Sequence, residues 1–202
     1  MDEKGRFGCG KKICLWLSFA SGIISTNISM RRIHLFEFHE QPWFPSSIRD
    51  EITDMLQFGL NLTNAYGPAV PLLKRALLST GSSFVVDLCS GGGGPWLALS
   101  RKLRGSAPAL QICLTDKYPN LTSFKNAKAI SDDFTFYRGP VDATNVPSEL
   151  KGFRTMFTSF HHFPRAEALA ILQGTVDARQ SIGITAVRGN FRSEGASIVD
   201  SD

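Results

Sequence analysis

Four short stretches carry residue types that could do chemistry, and they follow one another along the chain. The first is VVDLCSGGGGPW at 85–96, where two valines lead to the carboxylate of Asp87, then to Cys89 and the glycines Gly91, Gly92, Gly93 and Gly94. Glycines at such a place let backbone N–H groups approach a ligand closely and accept positive φ. A strand that runs into a glycine loop at a helix start is where doubly wound α/β sheets bind their ligands. A tight turn without a ligand is the plain alternative, but four glycines in a row are entropically unfavourable without a further reason. The second stretch, LTDKYPN at 114–120, places Asp116 and Lys117 at a strand end, 29 positions after Asp87. A carboxylate there can accept from both hydroxyls of a ribose, or it can cap the following helix. The third is VDAT at 141–144, with Asp142 and Ala143, and the fourth is FTSFHHF at 157–163, with Ser159, Phe160, His161 and His162. One histidine of that pair could act as a general base or hold the local backbone, two roles the residues leave open.

Several other chemistries are excluded or not indicated. A dinucleotide loop G-x-G-x-x-G would need a third glycine at position 96, which is Trp96. A phosphate-binding P-loop would need Lys-Ser/Thr after the glycines, and none follows. The cysteines Cys9, Cys14, Cys89 and Cys113 have no CxxC pair or metal-ligand spacing. Adjacent histidines are expected to point apart, so no metal is expected at His161 and His162. Net charge is only +4, with no basic run interleaved with aromatics, and no specific nucleic-acid partner is indicated. The Asn/Asp-Pro-Pro-aromatic signature for flipped bases is absent.

The elements that must position these residues are legible from period and punctuation. At 202 residues and 43% hydrophobic, the chain is long enough for one α/β domain with a core. Short apolar runs at 83–88, 110–115, 134–137, 154–160 and 181–187 read as strands. Helices are expected between them at 94–103, 121–130 and 164–179, the last with Leu169, Leu172 and Val176 on one stripe. Such alternation predicts a mostly parallel sheet of about five strands with helices on both faces. Before it, Ser46 or Ser47 could cap a helix with the apolar stripe Ile48, Ile52, Met55, Leu56 and Leu60. A second helix, with Val70, Leu73 and Leu77 on one face, would end at Gly81. The expected organisation is a leader or upstream extension over 1–29, a helical segment over 30–81, a ligand-binding core over 82–187 and a flexible tail over 188–202. The leader pairs Lys11 and Lys12 with an apolar run at 13–24, a signal-like pattern too short to span a bilayer comfortably. Either Met30 is the functional start, or residues 11–24 are a signal or membrane-surface anchor. Otherwise the cysteine usage predicts a reduced, cytoplasmic protein. The sequons at Asn27, Asn61 and Asn120 matter only for a secreted chain.

The first stretch resembles motif I of class I (Rossmann-like) methyltransferases, roughly (V/I)-(V/L)-D-x-G-x-G-x-G. Asp87 matches its acidic residue and Gly91 and Gly93 its second and third glycines, while Cys89 stands in place of the first. That departure is expected to tighten the turn and still allow binding. The resemblance implies S-adenosylmethionine as cofactor, with the glycine loop around its methionine part and Asp87 helping to hold it. It likewise implies Asp116 and Lys117 beside the ribose. VDAT resembles motif III, which implies Asp142 and Ala143 at the adenine amino group. FTSFHHF resembles the corresponding segment of small-molecule C-methyltransferases, which implies Thr158, Ser159 and Phe160 beside the sulfonium and His161 and His162 near the acceptor. From 33 to 184, about three-quarters of the chain, the sequence is similar to uncharacterised bacterial class I methyltransferases. The resemblance thus implies methyl transfer to a small-molecule acceptor, with acceptor contacts expected from Trp43 and the helices after it. Such domains carry two further strands in a C-terminal hairpin, which nothing after about 187 supplies. The fifth strand is therefore expected to be an exposed edge, and a truncated, non-catalytic S-adenosylmethionine-binding fragment is the alternative reading.

Overall fold

Each expected apolar run becomes a strand of four or five residues, or three in one case, with turn residues ending it. The computed structural model describes residues 15–18, 41–107, 109–185 and 197–198. In chain order its elements are β1 (Leu15–Ser18), α1 (Ser46–Leu62), α2 (Val70–Thr80), β2 (Phe84–Asp87), α3 (Trp96–Leu103), β3 (Gln111–Leu114), α4 (Leu121–Ile130), β4 (Phe134–Phe136), β5 (Phe153–Phe157), α5 (Arg165–Asp177), β6 (Ile182–Thr185) and β7 (Ser197–Ile198). The sheet order is β4-β3-β2-β5-β6-β1-β7. The five central strands are all parallel, with Asp87 in register with Leu114 on one side and Thr155 on the other.

This is a Rossmann-like, doubly wound α/β sheet. The chain steps outward from β2 through β3 to β4, then returns to the other side of β2 with β5 and β6. The direction of winding therefore reverses between β2 and β5, and the carboxyl ends of those strands flank the crevice where such folds take ligands. Alternation along each strand sends side chains to opposite faces. Val85 and Phe153 join Leu73, Leu77, Trp96, Leu99 and Phe124 in a core under α2, α3 and α4. Val86, Met156 and Ile182 face the other way and pack with Ile171 of α5.

Gly81 ends α2 in the left-handed region, at φ 62°, as its position predicted. Asn120 starts α4, its side chain accepting from Ser123 N, so Asp116 is left free of any capping role. Pro45, not Ser46 or Ser47, holds the cap position of α1, and no side chain caps it.

Two helices form where expected but are rotated from the expected orientation. The α1 stripe faces outward, with Met55 67% and Leu56 52% exposed. Polar contacts fix the rotation instead: Arg49 Nη2 donates to Gln41 O and Phe44 O, and Asp54 Oδ1 accepts from Asn120 Nδ2 and Ser123 Oγ. In α5, Leu169 is 56% exposed while Ile171 and Thr175 are buried. There Thr175 Oγ1 accepts from the buried Arg154 side chain, which turns that face of the helix inward.

The edge expectation is also corrected. β6 is not an exposed edge: β1 pairs with it in parallel, Leu15 opposite Ile182, and so satisfies the backbone groups an edge strand would leave open. Beyond β1 lies β7, antiparallel, which puts two residues of the expected flexible tail in the sheet. The rest of the leader and tail lie outside the described residues.

Candidate functional site

The strand β2 delivers Asp87 to the crevice, where it is 1% exposed. Its carboxylate is held on both oxygens: Thr155 Oγ1 donates to Oδ1 at 2.6 Å and Ser90 Oγ to Oδ2 at 2.7 Å. The Trp96 indole N–H lies near enough to favour the charged form without aligning as a hydrogen bond. Burial outweighs these donors and pushes the Asp87 carboxyl up to about 6, with the Asp116 charge adding to the rise. Ser90 N donates to Thr115 O at 2.9 Å and Thr115 Oγ1 to Asp87 O at 2.8 Å, so the turn is tied to the end of β3.

The glycine loop needs its glycines. Gly91, Gly93 and Gly94 have φ of 52°, 104° and 57°. Gly92 is closely packed, since a Cβ there would stand 2.6 Å from Asp54 Oδ1 and 3.1 Å from Thr53 O and would displace the Asp54 side chain. Cys89 adopts φ 58°, the left-handed conformation that glycine would take without strain. The turn therefore bears the strain of a side chain in a conformation that favours glycine. Burial pushes the Cys89 thiol up, as do Asp116, Asp87 and Asp142 nearby, which favours the neutral thiol over the thiolate.

Asp116 closes β3 and ties the two loops together. Gly91 N donates to its Oδ2 at 2.8 Å and Tyr118 N to its Oδ1 at 2.8 Å. Burial raises its pKa, opposed by these backbone donors and by the Arg49 charge. Asp142, after β4, accepts from Thr144 N and Oγ1 at 2.9 and 2.6 Å, and Lys117 Nζ lies 3.4 Å from its other oxygen. Burial raises the Asp142 carboxyl, but the Thr144 bonds and Lys117 outweigh it and hold it low. Val141 N donates to Asp116 O at 2.8 Å. Asp87, Cys89, Gly91, Asp116, Lys117 and Asp142 therefore converge at one end of the sheet. Ala143 points away from them, into the core under α5.

The fourth stretch leaves β5 through Thr158, also left-handed at φ 55°, whose Oγ1 lies 2.6 Å from Tyr66 Oη. Ser159 Oγ is buried without a well-formed hydrogen bond, with the Cys89 thiol beside it. Phe160, His161 and His162 form a single 3-10 turn. The two histidine rings do not diverge as expected: the turn stacks them, centroids 4.0 Å apart and tilted by 37°. Among the described residues no group of three His, Cys, Asp or Glu side chains is placed to hold a metal.

Sequence reading missed the polar face of α1. Thr53, Asp54 and Gln57 stand against Gly91, Gly92 and Gly93, and Asn61 Nδ2 lies 3.5 Å from Gly94 O. The Arg49 guanidinium stacks 4.0 Å over the Tyr118 ring, next to Asp116. Polar residues at helical spacing were the available signal. Thr155 was missed too, although a threonine opposite Asp87 in a buried strand is what a carboxylate there requires.

No family model matches the chain, and no curated protein does. Among solved structures the chain is similar to an O-methyltransferase family protein from Burkholderia thailandensis, at 17% identity and a TM-score of 0.46. The match covers 63% of this chain and 38% of that one, so the chain spans well under half of that protein's length. Among the described residues no helix is long and apolar enough to cross a membrane.

Proposed function

We propose that the crevice binds S-adenosylmethionine and that the protein transfers its methyl group to a small-molecule acceptor. The observation that carries this reading is the convergence of Asp87 at the end of β2, Asp116 just after β3 and Asp142 in the loop after β4, around a left-handed glycine loop at the winding reversal. The donor set fits a cation with polar appendages: fixed carboxylates, loop N–H groups and the buried, unsatisfied Ser159 Oγ. When bound, S-adenosylmethionine supplies a methyl group already activated on a positively charged sulfur.

The protein's own task is then alignment and exclusion of water. Asp87, held by Thr155 and Ser90, offers a charge of fixed direction to the amino-acid end of the cofactor. Asp116 keeps lone pairs for ribose hydroxyls while its hydrogen bonds hold Gly91 and Tyr118 in place. Lys117 and Thr144 orient Asp142 toward the adenine side, with Ala143 N and O beside it. Ser159 and Phe160 border the methyl, and His161 or His162 takes a proton from the acceptor where one must leave. The α1 face with Thr53, Asp54 and Gln57 covers the loop from above. Nothing in this reading calls for a nucleic-acid or membrane partner.

Titration with S-adenosylmethionine under thermal-shift readout tests the binding half, since a ligand of the folded state must raise the melting temperature. A saturable rise that Asp87→Ala and Asp116→Ala abolish supports it, and no rise contradicts it. Turnover is measured separately, by S-adenosylhomocysteine release with candidate acceptors. Binding without turnover across a metabolite panel would favour the non-catalytic alternative.

A further inference from the structure

A second buried charge lies on the other face of the sheet, away from the crevice. Arg154, second residue of β5, is 3% exposed. Its side chain makes one hydrogen bond among the described residues, from Nη1 to Thr175 Oγ1 at 3.0 Å. That threonine hydroxyl is itself donated to Ile171 O at 2.8 Å, so it serves Arg154 only as a neutral acceptor. Nε is buried with no partner, and no carboxylate pairs with the guanidinium among the described residues. A guanidinium removed from water without a counter-charge is strongly unfavourable, which is why buried arginines are almost always paired.

Arg154 is one of the residues that line a cavity of 270 Å³ between the 143–151 loop and α5. Lys151 also lines the cavity and is exposed. The remaining walls include Val146, Leu150, Ala178 and Gly174, and none of the lining residues is acidic. Gly174 lines the cavity from the last turn of α5, where a Cβ would meet only Thr144 O, at 3.9 Å. The chamber therefore has a buried cation and an exposed one among its lining residues, with both apolar side chains and the polar Asn145, Ser148 and Gln180 in its walls. It is slightly below the ~300 Å³ at which pockets for drug-sized ligands begin.

We propose that this cavity is a binding site for a small organic acid, whose carboxylate pairs with Arg154 and whose short apolar body lies against Leu150 and Val146. The pair would be charge-assisted and would supply the counter-charge the guanidinium lacks, through its terminal N–H groups and not through the sealed Nε. Burial without a counter-charge already pulls the Arg154 pKa down, in keeping with a charge that lacks its partner. The cavity lies on the other face of the sheet from the glycine loop, although Ala143 and Thr144, next to Asp142, also line it.

Hexanoate is a suitable probe, with hexanamide as its neutral counterpart, on the full chain without S-adenosylmethionine. Hexanoate at about ten times its Kd should raise the melting temperature by roughly 3–6 °C, while hexanamide leaves it unchanged. Arg154→Met should weaken hexanoate binding by about tenfold or more in calorimetry. Gly174→Leu, which keeps Arg154 and fills the chamber from α5, should abolish the response while the protein stays folded, and it decides the matter if Arg154→Met does not fold. No response to hexanoate, an equal response to hexanamide, or a response that survives either variant overturns the proposal.

Discussion

Asp87 and Arg154 lie on neighbouring strands, one residue apart in register, and the fold treats the two buried charges in opposite ways. Asp87 has a side-chain donor on each carboxylate oxygen, and its turn is tied to β3 by two further bonds. Arg154 has one neutral acceptor and a cavity. The difference teaches where each charge is meant to act. A carboxylate held from two sides is preorganised for something beyond its donors, as an electrostatic site requires. A guanidinium with open N–H groups next to a chamber is incomplete until an anion enters.

The largest effect should come from Asp87 itself. Its folded pKa, about 6, lies above its unfolded value near 3.8, so the folded state binds the proton more tightly. Its stabilising contribution is complete below about pH 4 and is lost as pH rises through 6, a swing on the order of 3 kcal/mol. Denaturant titrations between pH 4 and 7 should show wild-type stability falling relative to Asp87→Asn. Parallel curves for the two proteins would mean that Asp87 is not perturbed by burial.

Thr155→Val comes next. It removes the donor to Asp87 Oδ1 with little change of shape, and should destabilise by about 2 kcal/mol at pH 7, as expected for a hydrogen bond to a charged group. The loss should shrink at pH 4, where the carboxyl is protonated. Arg154→Met should have the opposite sign. Without a bound anion it should leave stability unchanged or raise it by about 1 kcal/mol, because an uncompensated buried charge is removed. A loss of more than about 2 kcal/mol would show that Arg154 has a counter-charge after all. The smallest effect belongs to Lys117→Met, since that side chain is 60% exposed beside Asp142. The folded protein should lose no more than about 0.5 kcal/mol.

These contrasts also show what could be read from residues alone. The five central strands and the carboxylates Asp87, Asp116 and Asp142 were legible because short apolar runs, glycines and acids after a strand are local signals. Gly81 and Asn120 mark helix ends by local conformation in the same way. The rotation of α1 and α5 was not legible. Hydrophobic spacing predicted inward stripes, but the orientation is set by partners far along the chain. Asp54 meets Asn120 and Ser123, 66 and 69 positions away, and Thr175 meets Arg154, 21 away. The edge of β6 was misjudged for a similar reason, since its partner β1 comes from the other end of the sequence. Arg154 was not singled out from the sequence, because its burial and its single neutral partner appear only in the folded chain.

The most direct test of the account is calorimetric titration of S-adenosylmethionine into wild type, Asp87→Asn and Asp116→Ala at pH 5 and pH 7.5. Wild type should bind at both values and more tightly at pH 7.5, where Asp87 is ionised and attracts the cationic ligand. Both variants should bind at least about tenfold more weakly, and Asp87→Asn should lose most of the pH dependence. Equal affinity in all three proteins, or no heat of binding in wild type, would contradict the assignment of the crevice.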